Sequence, residues 1–262
     1  MVSLSMKFGK KIVKKFLRSL NYDLVKFKKA SRSYPAELTS AECEIIEYVL
    51  ENNLTMASFE RLLATLVTCK YVITNDIEGD FVECGVWRGG NSIVAAEMIK
   101  LYGSDKMVWL YDTFAGMTQP TEVDIDLQGI KAYEEYDSSK MDGYNKMYYA
   151  SLDDVKEQFR IRNLLELNVR FVQGDVAVTL NSEHLLPKKI SVLRLDTDWY
   201  ESTKVELEIL YPKLSVGGCL IVDDYGHWEG SRRAADEYFN SFKPKPYFQY
   251  IDYTGRLILK TN

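Results

Sequence analysis

Histidine is scarce in the 262-residue chain, which contains His184 and His227 and no others, so a metal site built from several histidines is excluded. The four cysteines are Cys43, Cys69, Cys84 and Cys219. They show no C-x-x-C spacing and are typical of reduced core residues rather than of a disulfide framework. No apolar run approaches the roughly 18 residues of a membrane-spanning helix, and no secretory signal pattern is present at the N-terminus. We therefore expect a cytoplasmic protein.

The first thirty residues contain almost no acidic residue. Of the 33 basic and 38 acidic residues in the chain, nine basic ones and one acid, Asp23, lie there, so the rest carries 24 basic and 37 acidic residues, a balance of −13. Four apolar residues recur here at helical spacing: Phe8, Ile12, Phe16 and Leu20. Residues 1–38 are therefore predicted to form a basic amphipathic helix and a linker.

A helix of this kind can bind a membrane surface or nucleic acid, or it can pack on an acidic protein surface. We favour packing on the chain's own acidic body or on a second copy, because the basic stretch is short and has no second membrane anchor. We expect no nucleic-acid partner, and a membrane-surface contact is the less favoured alternative.

One α/β domain is predicted over residues 39–262. A helix capped by Ser40 should run to residue 49, and a second helix should bury the apolar stripe Phe59, Leu62, Leu63, Leu66 and Val67. Seven short apolar runs follow, at residues 81–84, 107–111, 169–172, 190–195, 219–222, 248–251 and 257–259. Near-continuous apolar strands separated by helices indicate a mostly parallel sheet that is covered on both faces. The turn at Thr254 and Gly255 predicts a final antiparallel hairpin.

Residues 120–150 interrupt this alternation. The segment is acidic, has no clear period and contains five spaced tyrosines: Tyr133, Tyr136, Tyr144, Tyr148 and Tyr149. Connections of this length inside a domain are usually functional or disordered. We predict a lid that becomes ordered over a ligand, with a mobile loop as the alternative.

Acidic residues end five successive predicted strands, at the edge where open parallel sheets bind their ligands. They are Glu83, Asp112, Asp175, Asp196 and the pair Asp223–Asp224. One such acid could simply cap the following helix, but capping is a poor explanation for all five. The sequence therefore predicts a functional site at this edge.

The first strand leads into a glycine turn, "FVECGVWRGGNS". A dinucleotide turn reads G-x-G-x-x-G, so that backbone N–H groups and a helix N-terminus meet a pyrophosphate. This turn reads G-V-W-R-G-G and is surrounded by acids, including Glu83 beside it. A cationic ligand without phosphate suits these surroundings better. Asp112, at the end of the next strand, is placed to accept hydrogen bonds from two ribose hydroxyls.

Asp196, Asp223 and Asp224 end neighbouring strands and should meet at the sheet edge. Clustered carboxylates require a counter-charge, and ligands that offer oxygen alone suit a hard cation such as Mg²⁺ or Ca²⁺. The alternative is that these aspartates cap helices. Asp198 lies just outside the cluster and could act as a base, a role for which His227 is the competitor.

Five motifs in order resemble the TylF/MycF family of metal-dependent sugar O-methyltransferases, which use S-adenosylmethionine. They are "DFVECGVWRGGNS", "LYDTFAGM", "RFVQGDVAVTL", "LRLDTDWYEST" and "LYPKLSVGGCLIVDDYGHWEGSRRAADEY". The resemblance covers residues 54–238, and "NNLTMASFERL" is similar to the segment that closes over the methionine end of the cofactor. The basic N-terminus and residues 120–150 depart from the family.

The resemblance implies a class I methyltransferase fold, a Rossmann-like α/β sheet of seven strands with an antiparallel end. It assigns these cofactor-binding residues: Thr55, Met56, Glu83, Gly85, Val86, Asn91 and Ser92 at the methionine half; Asp112, Thr113 and Phe114 at the ribose; Gln173, Gly174 and Asp175 at the adenine; and Asp196. It also assigns Asp196, Asp223 and Asp224 as ligands of Mg²⁺ or another divalent metal, and Asp198 as the base.

The predicted reaction is methyl transfer to a hydroxyl of a sugar or a glycosylated acceptor. A macrolide sugar, a nucleotide sugar and a polysaccharide residue all remain open as acceptors. The alternatives are a nucleotide-sugar or NAD-binding enzyme, against which the glycine spacing argues, a catechol-type O-methyltransferase, and a non-catalytic module. By analogy with the family, a homo-oligomer is expected in which one N-terminal helix covers another protomer's site.

Overall fold

Strands and helices alternate along most of the chain. The computed structural model describes residues 32–262, so the predicted basic helix lies outside the described residues. The strands are β1 Asp80–Cys84, β2 Val108–Asp112, β3 Lys140–Met141, β4 Tyr144–Asn145, β5 Val169–Gln173, β6 Ile190–Leu195, β7 Leu214–Val222, β8 Gln249–Tyr250 and β9 Arg256–Leu259. The helices are α1 Ser40–Glu51, α2 Phe59–Thr74, α3 Gly90–Tyr102, α4 Ala132–Ser138, α5 Leu152–Ile161, α6 Val176–Thr179, α7 Tyr200–Leu210 and α8 Glu229–Phe239.

Seven strands form one sheet in the order β5-β2-β1-β6-β7-β9-β8. The first five are parallel, whereas β9 runs antiparallel to β7 and β8 antiparallel to β9. All seven predicted strands are thereby confirmed, as is the antiparallel end. The apolar runs are continuous because the central strands are buried on both faces; Val82, Leu193 and Leu220 are fully buried.

Helices cover both faces of the sheet. Residues of β1, β2, β6 and β7 form one core cluster with Leu207 and Leu210 of α7 and Phe239 of α8. Side chains alternate between the faces of a strand, and α2 and α3 pack on the opposite face. Among residues 32–262, no helix is both long and apolar enough to cross a membrane.

The two helices before the sheet differ from the prediction in detail. The cap of α1 is Thr39 rather than Ser40, and Thr39 forms a capping box with Glu42. In α2, Leu62 and Leu66 are buried as predicted, but Val67 is 39% exposed. The buried face is instead turned toward Cys69 and Val72, because α2 packs on α3 and on the ends of β6 and β7.

Residues 120–150 carry secondary structure of their own, namely α4 and the β3–β4 hairpin. A small apolar cluster joins this segment to the rest of the domain: Ala132 and Met147 pack with Trp199 and Trp228. Backbone pairing of Asp126 with Trp228 adds a second connection. The segment therefore lies against the ends of β6 and β7, beside the predicted site.

Candidate active site

A cavity that is partly open to solvent lies at the carboxyl ends of β1, β2, β6 and β7. Twelve of the predicted site residues line it: Thr55, Met56, Glu83, Gly85, Val86, Asn91, Asp112, Asp196, Asp198, Asp223, Asp224 and His227. A neighbouring cavity of about 380 Å³ shares part of this wall and is lined by Thr113, Gly174 and Asp175. The structure thus brings twelve of the predicted residues to one cavity wall and three more to the adjoining cavity.

Three predicted residues line neither cavity. Ser92 is fully buried and donates a short hydrogen bond to Glu83, so it acts behind the wall. The N–H of Phe114 donates to Asp112 at 2.7 Å. Gln173 is exposed at the end of β5.

Asp175 lines the smaller cavity and also caps α6, accepting from the N–H of Ala177 at 2.8 Å, so the capping explanation holds for this acid.

The glycine turn holds a carboxylate of its own chain. Asp112 accepts hydrogen bonds from the N–H groups of Val86 at 2.6 Å and Trp87 at 3.1 Å. Those are groups that a dinucleotide turn would offer to a pyrophosphate. Gly85 has a positive φ of 82°, and a Cβ there would lie 1.9 Å from the carbonyl oxygen of Asp196. This turn is therefore a tight corner between β1 and β6, and its first N–H groups are not free for phosphate.

Burial raises the pKa of both acids beside the turn. For Asp112, the backbone hydrogen bonds from Phe114, Val86 and Trp87 oppose the increase. For Glu83, burial raises the pKa to about 8, although the positive charge of Arg194 and the hydrogen bond from Ser92 oppose it. Arg194 and Ser92 thus do not fully offset the cost of burying the Glu83 charge. A further positive charge nearby would be attracted to this carboxylate.

Arg194 is the residue that joins the acids, and the sequence analysis did not identify it. It lies in β6 with a fully buried side chain and donates to Glu83 at 3.1 Å and, through short contacts, to Asp196 and Asp223. A signal was present in the sequence, because an arginine inside the apolar strand "ISVLRL" must find buried acids. Three carboxylates from three different strand ends are in this way held by one guanidinium.

Arg61 is a second arginine that sequence reasoning missed. From the first turn of α2 it forms a short ion pair with Asp223, and its Nε lies 3.0 Å from Asp252. Asp252 also accepts from Ser58, the cap of α2, at 2.6 Å. No local sequence pattern predicts these contacts, because Arg61 and Asp252 are 191 positions apart. They attach α2 to the β8–β9 turn at the edge of the cavity.

Three carboxylates lie close enough together to hold one metal ion. Asp196, Asp198 and Asp224 each offer one oxygen, and the three oxygens lie within 4.8 Å of one another. This set shares two members with the predicted metal ligands. Asp223 instead directs both oxygens to Arg61 and Arg194. Burial and the charge of Asp196 raise the pKa of Asp198 to about 8, and burial and the charge of Asp198 raise that of Asp224. The group is therefore short of positive charge.

The turn that carries Asp198 is strained and well supported. Asp198 has a φ of 65°, which is unusual for a residue other than glycine. The neighbouring Thr197 donates to the buried Glu206 of α7 at 2.9 Å, and its carbonyl accepts from the N–H of Trp199 at 2.7 Å. These contacts fix the direction in which the Asp198 carboxylate enters the cavity.

Aromatic residues and a histidine complete the wall: Trp87, Tyr148, Trp228, Tyr253 and His227. Nδ1 of His227 lies 3.4 Å from the hydroxyl of Tyr253, in the β8–β9 turn. Of the five tyrosines in residues 120–150, Tyr148 lines the cavity. Burial and the negative charge of Asp198 raise the pKa of Tyr148, so its hydroxyl stays protonated.

Known proteins resemble this chain over most of its length. Residues 10–259 match the family model of macrocin-O-methyltransferase (TylF). Demethyldecarbamoylnovobiocin O-methyltransferase of Streptomyces niveus is 36% identical over 189 residues, which cover 72% of this chain and 68% of the relative. The 8-demethyl-8-(2,3-dimethoxy-alpha-L-rhamnosyl)-tetracenomycin-C 4'-O-methyltransferase of Streptomyces olivaceus is 33% identical over 202 residues, which cover 77% and 73%.

A solved structure gives the same result. The O-methyltransferase NovP superposes with a TM-score of 0.69 at 34% identity, covering 80% of this chain and 83% of NovP. This likeness confirms the predicted class I methyltransferase fold. The family model spans nearly the whole sequence. The chain therefore belongs to the TylF family of macrocin-O-methyltransferases and is an S-adenosylmethionine-dependent O-methyltransferase.

Proposed function

We propose that the enzyme methylates a hydroxyl of a sugar or a glycosylated acceptor, with the help of a divalent cation. The observation that carries this proposal is the group of three carboxylates in the cavity wall, Asp196, Asp198 and Asp224. The named relatives support the acceptor class, since one acts on a rhamnosyl-bearing tetracenomycin and another on a novobiocin precursor. The rest of the proposal follows from the residues around that group.

The cavity suits S-adenosylmethionine because it is acidic and its turn offers no free N–H from Val86 or Trp87 to a phosphate. Glu83, Gly85 and Asn91, which line the cavity, would border the amino-acid half of the cofactor. Asp112 would accept from the ribose, while Gly174 and Asp175 would border the adenine in the smaller cavity. When bound, the cofactor supplies an electrophilic methyl group on a sulfonium.

The carboxylates also suit a hard divalent cation such as Mg²⁺, because they offer buried oxygen ligands that lack counter-charge. Asp196 and Asp224 are common to the predicted set and to the set that the geometry brings together. We propose them as ligands. The family pattern names Asp223 as the third ligand, although its oxygens contact Arg61 and Arg194 and it lies outside the group of three that the geometry brings together. A bound cation would lower the pKa of a coordinated hydroxyl.

Asp198 is the proposed base. Its buried carboxylate lines the cavity. Burial and the charge of Asp196 raise its pKa to about 8, so it can act as a base when a bound cation offsets the neighbouring negative charge and keeps it ionised. It must come within hydrogen-bond distance of the acceptor hydroxyl to take that proton. His227, which also lines the cavity, is the competing candidate. Alignment of the two reactants can supply ~7–11 kcal/mol and should outweigh the base.

Methyl transfer from labelled S-adenosylmethionine to a panel of glycosides, with and without Mg²⁺, tests the proposal.

Asp198→Asn should reduce kcat at least about 100-fold, while the affinity for S-adenosylhomocysteine, measured by calorimetry, should stay near normal. Asp223→Asn should abolish activity, and added Mg²⁺ should not restore it. His227→Asn is compared with His184→Asn, which lies outside the cavity. Full turnover in excess chelator would exclude the metal role, and a larger loss in His227→Asn than in Asp198→Asn would reassign the base.

Further elements of the proposal concern the whole protein. We propose a cytoplasmic homo-oligomer whose basic N-terminal segment packs on an acidic surface of a second copy, in preference to a membrane. The charge balance of the sequence supports this, because nine basic residues precede a body of strongly negative charge. Removal of residues 1–30 should lower the number of protomers in the oligomer, which light scattering gives from the mass in solution. An unchanged number of protomers would show that this segment is not part of the interface.

A further inference from the structure

A glutamate behind the wall of the site has a buried carboxyl oxygen without a partner. Glu206 lies in α7 and is fully buried. Its Oε1 accepts from the hydroxyl of Thr197 at 2.9 Å, whereas its Oε2 has no hydrogen-bond partner among residues 32–262. In that part of the chain, the other buried side-chain atom of this kind is Nε of Arg194, which holds three acids of the site. Because an unpartnered buried oxygen lowers the stability of a fold, stability alone does not account for Glu206.

The fold could do without the hydrogen bond between Glu206 and Thr197. Thr197 is partly buried and lines the smaller cavity, so its hydroxyl can turn into that cavity and meet water there. An apolar side chain of similar size at position 206 would remove the unpartnered oxygen. Replacing a buried polar pair by apolar groups of the same shape is often neutral or stabilising. Polar groups that cost stability are expected mainly at functional sites.

The partner of Glu206 belongs to the turn between β6 and α7. Thr197 stands between Asp196 and Asp198, and Asp198 has the unusual φ of 65°. At one end of the turn, the N–H of Asp196 donates to the carbonyl of Cys84 at 2.8 Å. Glu206 holds the single side chain that lies between the two aspartates. A shift of Thr197 would therefore be transmitted directly to Asp198.

Glu206 acts on this turn as a hydrogen-bond partner rather than as a charge. Burial raises its pKa well above the usual 4.5, the hydrogen bond from Thr197 opposes the increase, and the negative charge of Asp196 adds to it. These effects together favour the protonated, neutral form. Glutamine has nearly the same shape and a carbonyl oxygen that can take the place of Oε1, so it mimics this form closely.

We propose that Glu206 is a positioning residue for methyl transfer, which holds the Thr197 hydroxyl and in this way keeps the turn that directs Asp198 into the cavity. Glu206 itself lies outside the lining of both cavities. This inference rests on the proposed function, because Asp198 is the proposed base, and it adds to that function a residue behind the wall of the site.

Glu206→Leu tests whether activity and stability separate at this position. The full-length enzyme is assayed with Mg²⁺ and a glycoside that the wild type methylates. We expect kcat and kcat/KM to fall equally, about tenfold, as for the loss of one hydrogen bond that acts in the transition state. The affinity for S-adenosylhomocysteine should not change. Tm, measured by differential scanning fluorimetry, should be no lower than in the wild type, because the unpartnered oxygen is gone. An unchanged kcat would overturn the proposal.

Two further variants separate positioning from a purely structural role. Glu206→Gln keeps an acceptor for Thr197 and should retain kcat within about twofold. Ile209→Ala is the matched control, because Ile209 packs partly buried on the core from the same helix and lines neither cavity. It should lower Tm by several degrees and leave kcat near that of the wild type. Equal losses of kcat in Glu206→Leu and in either of these variants would overturn the positioning role.

A double variant tests the pair itself. Thr197→Val leaves both oxygens of Glu206 without a partner, so kcat should fall about tenfold and Tm should fall as well. Adding Glu206→Leu to this variant should restore Tm without a further loss of kcat, because the two residues act through one contact. Losses of kcat that add in the double variant would contradict the link between Glu206 and Thr197.

The same assay distinguishes a failure of this inference from a failure of the proposed function. A large loss of kcat in Asp198→Asn, with none in Glu206→Leu or Thr197→Val, would overturn the role of Glu206 and leave the proposed base intact. Full kcat in Asp198→Asn, or transfer to no glycoside by the wild type, would contradict the proposed function and this inference with it.

Discussion

At the scale of single residues, Arg194 organises the site. Its side chain is fully buried, and it is the one group that contacts Glu83, Asp196 and Asp223 together within residues 32–262. A buried charge of this kind is costly unless it is paired. Here the pairing serves the site, since the same guanidinium fixes acids from β1, β6 and the end of β7. Its Nε has no hydrogen-bond partner among residues 32–262.

We expect Arg194→Met to destabilise the protein by about 3–5 kcal/mol, because it leaves buried carboxylates without their counter-charge. Urea denaturation at pH 7 measures the change. Arg232→Met is the control, since Arg232 is 43% exposed and lies 3.8 Å from Glu229 on the surface of α8. That variant should stay within about 0.5 kcal/mol of the wild type. A loss below about 1 kcal/mol in Arg194→Met would show that the acids do not depend on this residue.

Glu42 is a second buried acid, and it should make the stability of the fold depend on pH. It accepts from the N–H of Thr39 at 2.7 Å, from Lys70 at 3.0 Å and from Tyr102 at 2.7 Å. Burial alone would raise its pKa, but these hydrogen bonds outweigh burial and hold the pKa below its usual value of 4.5. Because the pKa of Glu42 is lower in the folded state, its ionised form stabilises the protein at pH values above the pKa of the unfolded state. That stability is lost as the pH falls through the pKa of the folded state.

Glu42→Gln should therefore cost about 1–2 kcal/mol between pH 6 and 8. The difference from the wild type should shrink as the pH falls below 4.5, because protonated Glu42 resembles glutamine. Urea denaturation at a series of pH values measures it. Glu44→Gln, on the exposed side of the same helix, is the control. A difference that does not vary with pH would contradict the role of the carboxylate charge.

At the scale of elements, residues 120–150 are attached to the catalytic turn. Asp124 is fully buried and accepts from the N–H of Tyr200, the first residue of α7, at 2.8 Å and from Thr121 at 2.6 Å. Trp199 donates from its ring to the carbonyl of Thr118 at 2.9 Å. Because α7 directly follows the turn with Asp198, displacement of the segment would disturb that turn and would move Tyr148.

We expect Asp124→Ala to cost about 1–3 kcal/mol, since it removes the acceptor of several buried hydrogen bonds at a helix N-terminus. Limited proteolysis should cleave residues 120–150 faster in this variant than in the wild type. Glu122→Ala is the matched control, because Glu122 is 83% exposed and pairs with the exposed Lys131. Equal cleavage of the two variants would mean that Asp124 does not anchor the segment.

At the scale of the whole molecule, one wall of acids and one glycine turn lie at the edge of the sheet where we expect the cofactor to bind. The turn directs its N–H groups at Asp112, and the opposite wall carries carboxylates. The fold is that of the O-methyltransferase NovP, on which the chain superposes with a TM-score of 0.69. Both properties favour a sulfonium cofactor over a pyrophosphate.

S-adenosylhomocysteine at 100 times its Kd should stabilise the fold by ~2.7 kcal/mol and raise Tm by about 5–11 °C in a domain of this size. NAD at the same concentration should leave Tm unchanged. Differential scanning fluorimetry measures both. A shift with NAD equal to that with S-adenosylhomocysteine would contradict the account of the glycine turn.

The sequence by itself determined the elements and their chemistry. Apolar runs located all seven strands of the sheet, because strands buried on both faces need continuous apolar side chains. Acids at the strand ends located the cavity, since parallel strands end at one edge. The motifs named the family. Local errors remained where packing decides, as in α2, where Val67 is exposed.

The tertiary structure decided which charges meet. Arg194 and Glu83 are 111 positions apart, and Arg61 and Asp223 are 162 apart, so no local pattern could pair them. It also directed Asp198 toward Asp196 and Asp224, and Asp223 toward two arginines. Residue type and strand position are properties of the local sequence, whereas the partner of a buried charge depends on how distant segments pack.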